Sequence, residues 1–100
     1  MIRVLIERRI VEGLEQPYEE AVTGMMQAII QAPGFLSGES LRNVDQPQHH
    51  YILSAWQSRA AWDRWLFSRA RRQALDAIRP FLEEPERITI LEPVSSQRTP

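Results

Sequence analysis

The side chains best suited to acid–base chemistry in this sequence are its two histidines, His49 and His50. Histidine titrates near neutral pH, so either imidazole could act as a general base. Neighbouring residues of a strand point to opposite faces of a sheet, so the two rings cannot bind one metal ion together. The chain has no cysteine and no third ligand nearby in sequence. We therefore expect no metal site, and we take His50 as the candidate catalytic base.

Arg69, Arg71 and Arg72 form a cluster of cations in the second half of the chain. In a functional interpretation, Arg72 is a catalytic residue that holds an anionic or enolate oxygen of a substrate. In the alternative interpretation, the cluster is a solvated helix face on which Arg72 pairs weakly with Asp76 at i,i+4. The sequence leaves both interpretations open.

Three tryptophans, Trp56, Trp62 and Trp65, are the most unusual feature of the composition. They could form the wall of an apolar ligand pocket between helix and sheet, or they could pack in the core. We select Trp56 and Trp65 as candidate substrate-binding residues. Asn43 is a third candidate because it could orient a ligand from a neighbouring strand, although a role in a turn or an interface is the alternative.

Several classes of protein are disfavoured by what the sequence lacks. It has no glycine-rich phosphate loop, GxSxG, HExxH or paired-carboxylate motif, which argues against nucleotide enzymes, serine hydrolases and zincins. A net charge of −1 gives no electrostatic reason for binding nucleic acid or an anionic membrane. No apolar run approaches the roughly 20 residues that span a bilayer, and no signal-peptide pattern is seen. We expect a cytoplasmic protein.

The elements that position these residues follow from the spacing of apolar residues and from the breakers between them. A helix follows the first strand and ends at Ala32-Pro33-Gly34. A second helix is capped by Ser58, is restarted or kinked at Ser68, and is kinked or ended by Pro80. Four strands are predicted, over Ile2–Val11, Phe35–Val44, His49–Trp56 and Ile88–Leu91.

The resulting order is β-α-β-β-α-β, which predicts an α+β, ferredoxin-like fold. The right-handed crossover rule places both helices on one face of a four-stranded antiparallel sheet. We expect one domain over residues 1–92 and a flexible tail over residues 93–100.

The other face of the sheet has no predicted helix to cover it. Tyr51, Leu53 and Ala55 lie on one face of the third strand, and Ile52 and Trp56 lie on the other. Whichever face is open therefore carries apolar side chains, and exposed patches of this kind usually mark an interface. We expect a homodimer that pairs through the sheet faces.

Two segments, Gly34–Asp45 and Tyr51–Ser58, resemble the antibiotic biosynthesis monooxygenase (ABM) family. The similarity continues through Trp62–Ser68 and into the opening Val4–Arg8, so it covers about residues 2–92. The resemblance implies a dimeric α+β barrel. It implies function more loosely, because the family includes cofactor-free oxygenases of aromatic substrates, haem-degrading enzymes and members without a known activity.

The haem-degrading branch of the family is disfavoured residue by residue. That branch uses a helix histidine as its iron ligand, and the matching position here is near Leu75. Its first-strand asparagine would fall near Ile6 or Glu7, and neither is asparagine. We therefore expect no haem and no other cofactor. Many other members of the family carry a histidine where this chain has Trp65, which weakens a mechanism borrowed from them.

The resemblance therefore points to a cofactor-independent monooxygenase of a small phenol- or quinol-type substrate. In this scheme Trp65 forms the pocket wall, His50 accepts a proton and Arg72 stabilises the oxyanion. The alternative is a non-catalytic dimer, either binding a small apolar ligand or acting as a stress-related accessory protein. RNA-recognition domains share the strand order, but the third strand here has no Lys, Arg or Gly, so we expect no nucleic-acid partner.

Overall fold

Strands and helices follow one another in the predicted β-α-β-β-α-β order, with the second helical segment divided in two. The computed structural model describes residues 1–97. The strands are β1 (Ile2–Arg9), β2 (Phe35–Arg42), β3 (His49–Trp56) and β4 (Arg87–Leu91). The helices are α1 (Glu15–Ile29), α2 (Arg59–Leu66) and α3 (Arg69–Ile78), followed by a 3-10 turn over Arg79–Phe81.

Two serine caps explain where the second helical segment begins and why it breaks. The Ser58 side chain accepts a hydrogen bond from the Ala61 backbone N–H at 3.1 Å and starts α2. The Ser68 side chain accepts one from Arg71 at 3.1 Å and starts α3. Each cap satisfies a helix N–H that has no partner within the helix. The predicted break at Ser68 is confirmed, and Pro80 lies in the 3-10 turn that ends α3.

Strands β1 and β2 end two residues earlier than predicted. Ile10 donates its N–H to the Gln48 carbonyl at 2.8 Å, and Val11 donates to the Phe81 carbonyl at 2.9 Å. These bonds join the end of β1 to neighbouring loops, so the chain leaves the regular ladder after Arg9. The apolar, β-branched side chains of Ile10 and Val11 predicted a longer strand, because residue types do not show which backbone groups these residues bond to.

The four strands form one antiparallel sheet in the order β2-β3-β1-β4. Even-numbered residues of β1 and β3 face the helices, as the pairs Val4↔Ser54 and Ile6↔Ile52 illustrate. Odd-numbered residues face the open side. The strand alternation therefore sends His50 into the interior and His49 to the opposite face.

Large aromatic side chains fill much of the space between sheet and helices. Trp56 is fully buried, and its ring packs edge-to-face against Phe35 at 5.4 Å and against Trp62 at 5.6 Å. Its indole N–H donates to the Ser54 hydroxyl at 3.0 Å, so its polar atom is satisfied in the core. This part of the interior is packed rather than hollow.

The open face of the sheet is not covered by any helix of the described residues. Leu5 and Leu53 are cross-strand partners at its centre, and Tyr51 and Ala55 lie on the same side of β3. None of the helices within residues 1–97 is long and apolar enough to cross a membrane. Residues 93–97 of the predicted tail are exposed and lie outside helices and strands, and residues 98–100 lie outside the described part of the chain.

Candidate functional site

A groove of about 540 Å³ runs between α1 and the edge strand β2. Val22 and Met26 of α1 supply apolar surface to it, and His50 reaches it from the helix-facing side of β3. The groove is lined by Glu19, Val22, Thr23, Met26, Ser40, Leu41, Arg42 and His50. It therefore combines apolar surface with one imidazole, one carboxylate and one guanidinium.

His50 is held as a neutral imidazole with one ring nitrogen available. The ring is 2% exposed and lies edge-on to the Tyr18 ring at 5.0 Å. Its Nε2 lies 3.0 Å from the Pro47 carbonyl oxygen, and a carbonyl can only accept, so Nε2 is assigned the proton. Burial lowers the pKa of His50 below its ordinary value. Nδ1 is therefore the unprotonated nitrogen at neutral pH and can accept a proton.

Arg42 places a cation at the rim of the same groove. It is the cross-strand partner of His50, and its Nη1 lies 3.7 Å from the Glu19 carboxylate. Both side chains are largely exposed, so this ion pair is weak and the guanidinium can turn towards a bound anion. Sequence reasoning missed Arg42 because its position opposite His50 depends on the hairpin register, which the residue types alone do not fix.

A second, smaller pocket of about 210 Å³ lies between the end of α1 and the α2–α3 junction. Trp65, only 4% exposed, forms part of it, and Arg64 lies beside it on α2. Small side chains leave the space open: Ala28, Ala32, Ala61 and Ala70. Trp65 therefore lies by a cavity, as predicted, but in a different cavity from His50.

A buried ion cluster lies elsewhere between the sheet and the helices. The Glu86 carboxylate accepts from Arg8 Nε at 3.0 Å and lies 2.9 Å from Arg8 Nη2. It also pairs with Arg71 of α3, and Arg8 Nη1 lies 3.2 Å from the Tyr18 hydroxyl. The Arg71 guanidinium sits over the Trp62 ring, 5.9 Å from its centre. Sequence reasoning did not single out Arg8, Tyr18 or Glu86.

Charge attraction outweighs burial at Glu86. Burial alone would raise the pKa of this carboxyl, but Arg8 and Arg71 hold that pKa below its ordinary value. Glu86 is therefore ionised at neutral pH and balances one of the two buried guanidiniums.

The family model for antibiotic biosynthesis monooxygenases matches residues 1–77 of the chain. The chain belongs to this ABM family. The predicted membership is therefore confirmed. A comparison with curated protein sequences finds no significant match.

Solved structures with the same fold include several ABM proteins. A candidate antibiotic biosynthesis monooxygenase of Deinococcus radiodurans is 20% identical with a TM-score of 0.86, covering 99% of this chain and 98% of that one. A variant of SnoaB, a cofactor-independent oxygenase of Streptomyces nogalater, is 17% identical with a TM-score of 0.83, covering 95% of each chain. Rv0793 of Mycobacterium tuberculosis is 15% identical with a TM-score of 0.84, covering 97% of this chain and 98% of that one. At these identities the likeness establishes the fold.

The residues predicted for an ABM-type site are distributed over several places in the structure. His50 lies in the α1–β2 groove, Trp65 lies in the second pocket and Trp56 lies in the core. Arg72 lies on the exposed side of α3, and its expected partner Asp76 pairs instead with Arg79 at 3.1 Å. The five predicted residues therefore do not line one cavity.

Asn43 shapes the turn between β2 and β3. Its side-chain oxygen accepts hydrogen bonds from the backbone N–H groups of Asp45 at 2.9 Å and Gln46 at 3.0 Å. Its side-chain nitrogen lies 3.5 Å from the Tyr51 hydroxyl. This is the turn role that the sequence offered as the alternative, and substrate binding by Asn43 stays a prediction.

Metal-ligand side chains do not gather anywhere in residues 1–97. No group of three or more His, Cys, Asp or Glu side chains is placed to hold a metal ion there.

Proposed function

We propose that this ABM protein is a cofactor-independent monooxygenase that acts on a small phenol- or quinol-type aromatic substrate in the α1–β2 groove. The observation that carries the proposal is His50, a neutral imidazole beside apolar Val22 and Met26 with Nδ1 available to accept a proton. Membership of the ABM family and the shared fold with SnoaB support the same reaction class.

In the proposed reaction, His50 removes the phenolic proton and the substrate becomes an electron-rich anion. The anion passes an electron to O2, so the substrate itself supplies the reducing power. The Arg42 guanidinium stabilises the developing negative charge from the groove rim. We assign this role to Arg42 rather than to Arg72, because Arg42 lies in the groove and Arg72 lies on the outside of α3.

The test is O2 consumption by metal-free protein across a panel of anthrones and hydroquinones. We expect wild-type protein to consume O2 with at least one of them, and His50→Gln to lower the rate by about 10²–10⁴-fold because the proton acceptor is lost. His49→Gln is the matched control. It alters the neighbouring imidazole on the opposite side of β3 and should leave the rate unchanged.

Two outcomes would contradict the proposal. No O2 uptake with any substrate of the panel would leave the non-catalytic ligand-binding interpretation, and native mass spectrometry would then identify a retained ligand. A His50→Gln rate equal to that of wild type, with the fold intact by circular dichroism, would remove His50 from the mechanism.

We also propose that two copies of the chain pair through the open face of the sheet. Leu5 and Leu53 lie at its centre, and the exposed Leu41 and Leu91 extend the apolar surface onto the edge strands. Charged side chains lie on the same face, Arg3 beside Ala55 and Glu39 beside Leu53. Contiguous exposed apolar surface of this kind usually marks an interface.

A further inference from the structure

We propose that Arg8 and Arg71 form a binding site for a small carboxylate, and that Glu86 occupies this site as a built-in ligand that an external carboxylate can replace. The proposal does not depend on oxygenase activity. It starts from the charge balance of the buried cluster.

The cluster carries one positive charge more than it can neutralise internally. The guanidiniums of Arg8 and Arg71, two residues that are 3% and 5% exposed as a whole, share the single carboxylate of Glu86. Arg71 Nε is buried without a hydrogen-bond partner in the described residues. Buried charges and donors are normally paired because removing them from water is costly. The site can therefore accept more negative charge than it now holds.

Glu86 already demonstrates how a carboxylate would be held. One of its oxygens contacts Nε and Nη2 of Arg8 at 3.0 and 2.9 Å. Its other oxygen contacts Nη2 of Arg71. A guanidinium can donate two hydrogen bonds to one carboxylate, and such charge-assisted bonds are strong. Tyr18, whose hydroxyl lies 3.2 Å from Arg8, adds a further polar group beside the two arginines.

Glu86 is the most exposed of the three side chains in the cluster. Its side chain is 10% exposed, against 1% for Arg8 and 6% for Arg71. It lies between the 3-10 turn and β4, next to the exposed residues Glu83, Glu84 and Pro85. The backbone is fixed on one side by the Glu83 N–H bond to Arg9 and on the other by the pairing of Arg87 with Glu7. In the proposal, rotation of the Glu86 side chain, with the backbone in place, opens the site to solvent.

The experiment titrates sodium formate and sodium acetate into wild-type protein and into Glu86→Ala, with sodium chloride at equal ionic strength as the reference. The readouts are the thermal unfolding temperature and the NMR signal of the Trp62 indole, which lies beneath Arg71. The Trp65 indole, which lies at the second pocket, is the internal reference. Glu83→Ala is the matched control, since Glu83 is on the same loop and, within residues 1–97, pairs with the exposed Arg9 and not with the cluster.

We expect Glu86→Ala to unfold at a lower temperature in chloride and to recover in formate or acetate, while Glu83→Ala does not respond. The carboxylates should shift the Trp62 signal saturably in both Glu86→Ala and wild type. The apparent affinity of wild type should be at least about tenfold weaker, because its site is available only when Glu86 turns away. Arg71→Met keeps the Arg8–Glu86 pair and should abolish the Trp62 response.

The proposal would be overturned if sodium chloride raised the unfolding temperature of Glu86→Ala as much as formate or acetate does. The effect would then be general to anions. A Trp62 signal that does not move in wild type at saturating acetate, or that moves equally in Arg71→Met, would also overturn it. If Glu86→Ala does not fold in any of these salts, the comparison of wild type with Arg71→Met decides alone.

Discussion

At the scale of single residues, burial acts differently on the two ionisable groups that matter most here. At His50 it lowers the pKa directly and keeps the imidazole neutral. At Glu86 it would raise the pKa, but two guanidiniums reverse the direction. Both folded-state pKa values therefore lie below their unfolded values, and both groups stabilise the fold more at higher pH.

Glu86 makes a specific contribution to acid sensitivity. Because its folded pKa is below the ordinary value of 4.5, its stabilisation is fully present above that pH and is lost as the pH falls through the folded pKa. We expect the free energy of unfolding of wild type to fall more steeply below about pH 4.5 than that of Glu86→Gln. Urea unfolding of both proteins between pH 7 and pH 3 measures the difference.

His50 is present in both proteins, so its own titration cancels in this comparison. Parallel stability curves for wild type and Glu86→Gln would mean that the carboxylate titrates alike in the folded and unfolded chain.

The sequence could not identify which arginine of α3 enters the interior. Neighbouring residues on a helix are turned by about 100° relative to each other, so placing Arg71 inside sends Arg72 outside. The Ser68 cap sets that rotation, but a buried arginine interrupts the apolar pattern by which an inward face is recognised. Arg71 also depends on Glu86, which comes from a loop that residue types do not position.

At the scale of elements, Gly34 sets how closely β2 approaches α2. Its φ is +86°, and its carbonyl accepts a hydrogen bond from Gln57 at 2.8 Å. A Cβ atom added there would lie 2.4 Å from the Cβ of Ala61. Gly34 therefore meets two demands at once, a left-handed backbone and a close contact between elements.

Three glycine-to-alanine variants separate these demands. We expect Gly34→Ala to lower the free energy of unfolding by about 3 kcal/mol, through backbone strain and overpacking together. Gly13→Ala has a similar φ of +87° but no atom within 4 Å, so it should cost about 1–2 kcal/mol. Gly24 lies within α1, and a Cβ added there would have no atom within 4 Å. Gly24→Ala should therefore raise the free energy of unfolding by about 0.5–1 kcal/mol.

Urea unfolding of wild type and the three variants measures these changes in the free energy of unfolding. Equal losses for Gly34→Ala and Gly13→Ala would mean that the contact with Ala61 relaxes without cost.

Most of the elements could be predicted because their signals are local. The alternation of β3 fixed which side chains share a face, and Ser58, Ser68 and Pro80 act on the residues next to them. The early end of β1 depends on bonds from Ile10 and Val11 to loops far along the chain. The groove beside His50 likewise depends on the packing of α1 against the sheet, which no local pattern encodes.

At the scale of the whole molecule, one face of the sheet is covered by helices and the other is open. The proposed dimer would bury the open face and add to a core limited by the short chain. Leu53 lies at the centre of that face between Leu5 of β1 and Glu39 of β2, so a carboxylate at position 53 would be buried beside a second negative charge.

We expect wild-type protein to be a dimer at micromolar concentration, and Leu53→Glu to weaken the dimer by at least about 100-fold in Kd. Multi-angle light scattering after gel filtration measures the mass, and circular dichroism checks the fold. Gln73→Glu is the matched control, because it adds the same charge on the exposed side of α3. A monomeric wild type, or a dimer that is unaffected by Leu53→Glu, would contradict the proposed interface.

The Arg8–Glu86 ion pair also bears on the order in which the chain assembles. Its two residues are 78 positions apart, whereas the β2–β3 hairpin is closed by the short turn over residues 43–48. The entropy lost on closing a loop grows with its length, so we expect the hairpin and α1 to form first and β4 to join β1 late. Interactions absent from the folding transition state act mainly on the unfolding rate. We therefore expect the cluster that joins β1, α3 and the start of β4 to slow unfolding more than it speeds folding.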